Sequence, residues 1–302
     1  MTVLRRGAVA LAAVAGIAWT AGCAALHRRA MGTVRRPDVA APADPGVPAE
    51  RLEVRTADGL RLLAWYLPGT RPAVVVVSGG NRGWAGDVLG IATALRDAGF
   101  HVVVHGWRGT PGCDPAPHTL GVHERRDLEA VLEATRRRVG GMPLGLLGYS
   151  MGGAVAISVG GSDPGVAAVC TDCAFDDPLR VLGDGVRRVL RVPGPVLTAP
   201  VQVLLALRTG ARMTDLRPLR RVAEIAPRPL LLIHGEDDAS VPPGHGRRLH
   251  AAAGPGASLW LLPGVGHCGG YDACREAYVR RVTDFYEAAL SSPPGVDRTT
   301  NP

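Results

Sequence analysis

The 302-residue chain contains no lysine: all 34 of its basic residues are arginine. Set against 27 acidic residues, they give a formal net charge of +7, a balance that by itself points toward nucleic acid. Yet aromatic residues make up only 4% of the chain, and no basic segment interleaves with them as a single-strand binder requires. Arginine without lysine, beside abundant Ala, Gly and Pro, reads as the codon usage of a GC-rich genome, and nucleic acid is not an expected partner. Six cysteines are too few to build a disulfide scaffold at this length. The 40 glycines show no three-residue period, which excludes a collagen-like chain. Apolar residues, in contrast, reach 46%, too many for a disordered chain and enough for a sizeable core.

Arg5 and Arg6 precede an apolar run over residues 7–26, closed by His27, Arg28 and Arg29. Twenty residues of helix span about 30 Å, the thickness of the hydrocarbon core of a bilayer. Residues 1–29 therefore read as a signal peptide or a membrane anchor. Thr20-Ala21-Gly22-Cys23 is similar to a bacterial lipobox, although Thr20 stands where Leu is usual. The expected location is the cell envelope, attached to the membrane either as a lipoprotein at Cys23 or by a single-pass anchor. Basic residues at both ends leave the orientation open. Residues 30–50, rich in Pro and Ala, read as a linker, 51–290 as the folded domain, and 291–302 as a disordered tail.

Within the domain, strand and helix signals alternate. Leu52 to Arg55 and Leu60 to Leu67 flank the turn Ala57-Asp58-Gly59 as a hairpin. Ala73 to Val77 is wholly apolar, as a strand covered on both faces must be. Helix is expected over residues 84–98, strand over 101–104, helix over 120–139, strand over 142–147, helix over 151–159 and strand over 166–170. Further strands are expected at 229–233 and 257–262, around a helix near 245–253, with a closing helix over 274–290. This rhythm predicts an α/β fold, a mostly parallel sheet with helices on both faces. It breaks at about residues 175–225, an apolar, Arg-rich stretch split by Pro193 and Pro195, read as short helices forming a cap.

Gly148-Tyr149-Ser150-Met151-Gly152 has the G-x-S-x-G pattern. In a chain this rich in glycine the pattern arises by chance about 0.14 times, so its weight comes from standing between a strand and a helix. There the turn makes the serine protrude at a helix N-terminus, where free N–H groups favour a developing anion. A serine hydroxyl needs a base, most often His. His267 follows the last strand in a glycine-rich loop. His234 and His105 also end strands, the first suited to a structural hydrogen bond, the second to lining the site. His118, His123, His245 and His250 read as surface residues. The base needs a carboxylate partner, and Glu236, Asp237 and Asp238 all follow a strand.

These residues resemble an α/β-hydrolase over about residues 52–290, within the small capped serine hydrolases grouped with esterases and prolyl-oligopeptidase-like enzymes. The likeness rests on Gly79-Gly80-Asn81-Arg82-Gly83, Trp107-Arg108-Gly109, Thr119-Leu120-Gly121 with His123 to Leu128, Gly148 to Gly153, and His234 to Asp238 with Val241-Pro242. The resemblance implies a catalytic triad of Ser150, Asp238 and His267, with Asp238 chosen over Asp237 by its place after His-Gly and before Val. It also implies an oxyanion hole from the backbone N–H groups of Met151 and Gly80, and neither cofactor nor metal. Ser78 departs from the family's usual His, and Gly106 from its usual Asp.

The expected activity is hydrolysis of a small-molecule carboxylic ester through an acyl-enzyme, the cap suggesting a substrate with an apolar portion. Acyl transfer, thioester or amide cleavage on the same triad, and a catalytically silent membrane-tethered binding module are the alternatives. Cys170-Thr171-Asp172-Cys173 lacks a second pair at zinc spacing. Cys113, Cys268 and Cys274 leave two possibilities open, disulfides bracing the loops or free thiols.

Overall fold

The computed structural model describes residues 48–291, except 84 and 192, together with residue 22. Apart from residue 22, the expected membrane segment lies outside the described residues, as do most of the linker and nearly all of the tail. No helix among the described residues is long and apolar enough to cross a membrane.

Eight strands form one sheet: β1 (Glu50–Arg55), β2 (Arg61–Leu67), β3 (Val74–Ser78), β4 (His101–His105), β5 (Leu144–Tyr149), β6 (Val166–Asp172), β7 (Leu230–Gly235) and β8 (Ala257–Leu262). Their spatial order is β1-β2-β4-β3-β5-β6-β7-β8. The hairpin β1–β2 joins β4 antiparallel, and every other pairing is parallel. The fold is thus the mostly parallel α/β sheet that the alternation predicts.

Val74 to Val77 show why an unbroken apolar run belongs here. Side chains alternate across a strand, so Val74 and Val76 enter one core layer while Val75 and Val77 enter the other. Helices α2 (Glu124–Val139), α3 (Met151–Ser162) and α6 (Gly244–Ala253) cover the first face, contributing Leu128, Val131, Val155 and Leu249. Helices α1 (Leu89–Asp97) and α7 (Arg275–Leu290) cover the second with Ile91, Leu95, Tyr278, Val282 and Tyr286. Helix α3 is buried along nearly its whole length, consistent with a helix apolar on every side.

Two helices begin later than expected. A 3₁₀ turn over Ala85–Val88 precedes α1. Before α2, Leu120 and Gly121 take positive φ values of 53° and 99°, which a helix cannot include. The buried Glu124 then ties down that turn, accepting from the Thr119 hydroxyl at 2.7 Å and the Gly121 N–H at 2.8 Å.

Residues 175–225 contain two full helices, α4 (Pro178–Leu190) and α5 (Pro195–Thr209), followed by short helical turns over Met213–Asp215, Pro218–Arg221 and Val222–Ile225. Pro178 and Pro195 stand in their first turns, where a missing N–H costs nothing. The Asp177 carboxylate caps α4, accepting from the N–H groups of Leu179 and Arg180. Among the described residues every exposed large hydrophobic belongs to this pair: Val189, Leu190, Val196, Val203 and Leu207.

His245 bolts this region to α6. Its Nδ1 lies 2.5 Å from Asp176 Oδ1 and its Nε2 3.0 Å from Asp184 Oδ2 on α4. His245 is completely buried, and so is His118. The surface reading of both is corrected: His245, on α6, meets carboxylates from elements the local sequence does not announce, and His118 is enclosed in the loop before α2, 3.6 Å from Glu124. His123 is half-buried and His250 exposed.

Arg108 is a second internal clamp. Its guanidinium meets Asp127 on α2 at 2.6 Å and Asp58 of the β1–β2 turn at 2.9 Å. Burial pushes the Asp127 carboxyl up to about 6, opposed by the hydrogen bonds and charge of Arg108.

Candidate active site

The turn after β5 is compressed. Ser150 has φ 52° and ψ −116° between β5 and the first residue of α3, a backbone state that costs energy and clusters at functional sites. A Cβ at Gly148 would stand 2.4 Å from the Gly152 carbonyl oxygen, and one at Gly152 would stand 2.4 Å from that of Gly79. Only glycine fits either place. The Ser150 N–H donates to the Asp172 carbonyl of β6 at 2.8 Å, fixing the elbow to the neighbouring strand.

His267 follows β8 and Asp238 follows β7, so both reach the same carboxyl edge of the sheet as Ser150. His267 Nε2 lies 3.0 Å from Ser150 Oγ, and His267 Nδ1 lies 2.6 Å from Asp238 Oδ2. The other carboxylate oxygen of Asp238 accepts the N–H groups of Ser240 and Val241, each at 2.8 Å. Burial alone would raise this carboxyl's pKa; the hydrogen bonds from His267 and Val241 prevail and hold it below its usual range. Burial likewise works against a charged His267, yet the hydrogen bond and charge of Asp238 raise the ring to about 9. Cys173 also borders His267. Its own thiol is pushed far up, first by the hydrogen bond it shares with Cys268 and then by burial, so it is neutral at neutral pH.

The expected oxyanion donors flank the serine. Met151 opens α3, where an N–H has no partner within the helix. Gly80 lies against Ser150: a Cβ there would stand 3.4 Å from Ser150 Cβ. The turn carrying Gly80 is braced from below. His105 is wholly buried rather than lining the site, which corrects the reading of this residue. Burial pushes it down to about 4, so it is neutral. Its Nδ1 faces the Gly106 carbonyl at 3.2 Å and must carry the proton, which leaves Nε2 to accept from the Ser78 hydroxyl at 2.8 Å. The departure from His to Ser at position 78 is thereby given a partner. His234 is structural as expected: its Nε2 donates to the Val241 carbonyl at 2.8 Å and so steadies the loop that carries Asp238.

A cavity of about 550 Å³ opens beside Ser150 and His267. Val88, Ile91 and Tyr271 give it apolar walls, and Asn81, Asp87 and Asp272 give it polar ones. None of its lining residues belongs to α4 or α5. The apolar walls of this cavity therefore come from Val88, Ile91 and Tyr271 rather than from the cap.

Three neighbours had no place in the expected triad or oxyanion hole. Asp172, at the end of β6, is buried beneath the elbow with its carboxyl raised to about 6 by burial, and it accepts from the Tyr278 hydroxyl at 2.8 Å. Its position at the carboxyl edge of a parallel strand was the available signal. The third neighbour is Cys173, which meets Cys268 rather than Cys170: the Cys268 N–H donates to Cys173 Sγ at 3.3 Å. All five cysteines among the described residues are free thiols. Two groups could hold a metal ion, Cys173 with His267 and Cys268, and Cys173 with His234 and Asp238.

Comparison with known proteins agrees with this architecture. Residues 69–209 match the family model described as "Serine aminopeptidase, S33". Over 228 residues the chain is 31% identical to the uncharacterized protein Rv2307c of Mycobacterium tuberculosis, covering 73% of each chain. Over 254 residues it is 27% identical to the uncharacterized protein YfhR of Escherichia coli, covering 80% of this chain and 82% of the relative. Among solved structures, the esterase Pf2001 of Pyrococcus furiosus superposes with a TM-score of 0.69 at 19% identity, over 85% of this chain and 98% of the esterase.

Proposed function

Because the chain belongs to the α/β-hydrolase superfamily, we propose that it is a serine-dependent acyl hydrolase that cleaves a carboxylic ester. The observation that carries this reading is the unbroken contact from Ser150 Oγ through the His267 ring to the Asp238 carboxylate, at 3.0 and 2.6 Å. Ser150 attacks the carbonyl carbon while His267 Nε2 takes its proton. Asp238 keeps the other ring nitrogen protonated and stabilises the imidazolium that forms. The tetrahedral oxyanion is held by the N–H groups of Met151 and Gly80. His267 then returns the proton to the leaving alkoxide, and a water molecule, deprotonated by the same ring, releases the acyl group.

An ester asks less of the general acid than an amide, because an alkoxide leaves far more readily than the amide anion that an unprotonated nitrogen would have to become. The cavity volume suits a small acyl or alcohol portion with an apolar face toward Val88 and Ile91. Asp272 at the cavity favours one second reading, cleavage next to a free amino group, which the name of the matching family model also suggests. Attachment of the enzyme to a membrane through residues 7–26 is part of the same proposal.

The test is labelling with a fluorophosphonate, followed by a panel of p-nitrophenyl esters of graded chain length and the matching aminoacyl p-nitroanilides. Wild-type protein should label and turn over short esters, and Ser150→Ala should do neither. Labelling that persists in Ser150→Ala would remove the nucleophile from this reading. Anilide turnover exceeding that of the esters would favour the second.

A further inference from the structure

We propose that Cys173, Cys268 and His267 form a site for a thiophilic metal cation, with Zn²⁺ as the type ion, whose occupancy switches the hydrolase off. One ligand atom from each residue lies within 4.8 Å of the others. In a tetrahedral zinc site with metal–ligand bonds of about 2.0–2.3 Å, neighbouring ligand atoms stand about 3.3–3.8 Å apart. Small side-chain shifts therefore suffice to close the three around an ion.

The two thiols are already in contact: they share a hydrogen bond, and the Cys268 N–H reaches Cys173 Sγ at 3.3 Å. Two thiolates with an imidazole make a soft donor set, suited to zinc or copper(I) and unsuited to magnesium or calcium. An entry path exists as well. His267 and Cys268 line the open cavity, and Cys173 is buried behind them, so an ion enters past His267 and Cys268. The alternative group with His234 and Asp238 is buried throughout.

The consequence for turnover follows from His267. Its Nδ1 is committed to Asp238 and its Nε2 to Ser150. A metal that takes the lone pair of either nitrogen ends the proton relay. Binding releases two thiol protons to solvent, leaves the oxidation state of both sulfurs unchanged and is reversed by a chelator. Loss of turnover rests on the hydrolase reading above; metal binding does not.

The experiment uses the full chain with a phosphine reductant throughout. Dialysis against zinc chloride should leave one equivalent of zinc bound, and cobalt chloride should give the near-ultraviolet absorption of a thiolate–cobalt bond. Zinc should abolish ester turnover, and EDTA should restore it. Cys173→Ser and Cys268→Ser, each compared with its own metal-free rate, should raise the half-inhibitory zinc concentration by at least about 100-fold, since even outer partners of a metal site are worth 10–100-fold. Absence of both stoichiometric zinc and the cobalt band overturns the site, whether or not the protein turns over esters. So does equal zinc inhibition of wild type and both variants. Inhibition that appears only without reductant, with two fewer reactive thiols, overturns it in favour of a disulfide between the same pair.

Discussion

The indole N–H of Trp107 donates to the carbonyl oxygen of Gly79 at 3.0 Å, so a fully buried ring beyond β4 holds the turn beyond β3. His105 packs edge-on against that ring, 4.6 Å between centroids, and accepts from Ser78. Gly80 is thus set against Ser150 by three side chains that never reach the cavity. Trp107→Phe keeps most of the volume and loses the hydrogen bond. If Gly80 supplies an oxyanion donor, kcat should fall by about tenfold with KM little changed, less than the hundredfold or more of deleting a donor outright. Steady-state kinetics on a short ester decide this, and an effect confined to KM would count against the oxyanion role of the turn.

The His267–Asp238 contact makes activity and stability respond to pH in opposite directions. With the ring raised to about 9, its neutral, proton-accepting form grows as pH increases, so kcat/KM should climb from pH 7 and level off above about 9. In the unfolded chain the ring titrates near its ordinary 6.5. Its stabilising contribution is therefore full below that value and is lost as pH rises through about 9. Asp238→Asn should move the rising limb down toward 6.5 and lower the plateau by about ten-thousand-fold. A wild-type profile already flat at pH 7 would contradict the coupling.

Arg108 and Asp127 are a buried pair whose halves depend on each other. Arg108→Met leaves Asp127 without its counter-charge and should cost about 3–5 kcal/mol in urea unfolding. Combining it with Asp127→Leu should recover most of that loss. If the double variant is no more stable than the single one, the loss lies in packing rather than in a stranded carboxylate.

His245→Phe removes the imidazole that joins Asp176 to Asp184. Stability should drop by about 1–3 kcal/mol, the cost of stranding buried acceptors. Limited proteolysis should also cut faster within residues 178–209. Turnover of the shortest ester should stay close to wild type, because no residue of α4 or α5 lines the cavity at Ser150. A collapse of that turnover in a protein that still unfolds cooperatively would mean that the cap takes part in the site.

What could be read in the chain beforehand was what local patterning dictates. Val74 to Val77 announced a doubly covered strand because no polar residue interrupts them, and Gly148 and Gly152 announced a compressed turn around Ser150. Helix starts were less legible: nothing in Leu120-Gly121 shows that Leu120 will adopt a left-handed conformation. Least legible were contacts between loops far apart in sequence. Cys173 and Cys268 are 95 residues apart, and the C-x-x-C spacing paired Cys173 with Cys170 instead. His245 looked like a surface residue because its two carboxylate partners lie 61 and 69 residues away.

Ser150 and His267 meet across 117 residues, from opposite ends of the run β5-β6-β7-β8. A chain emerging from the ribosome in order can fold its elbow while β7 and β8 are still unsynthesised, and at that stage the hydroxyl has no imidazole beside it. On the triad proposed above, the elbow gains its base only once β8 has docked, so a newly made molecule would stay unreactive until its sheet is complete.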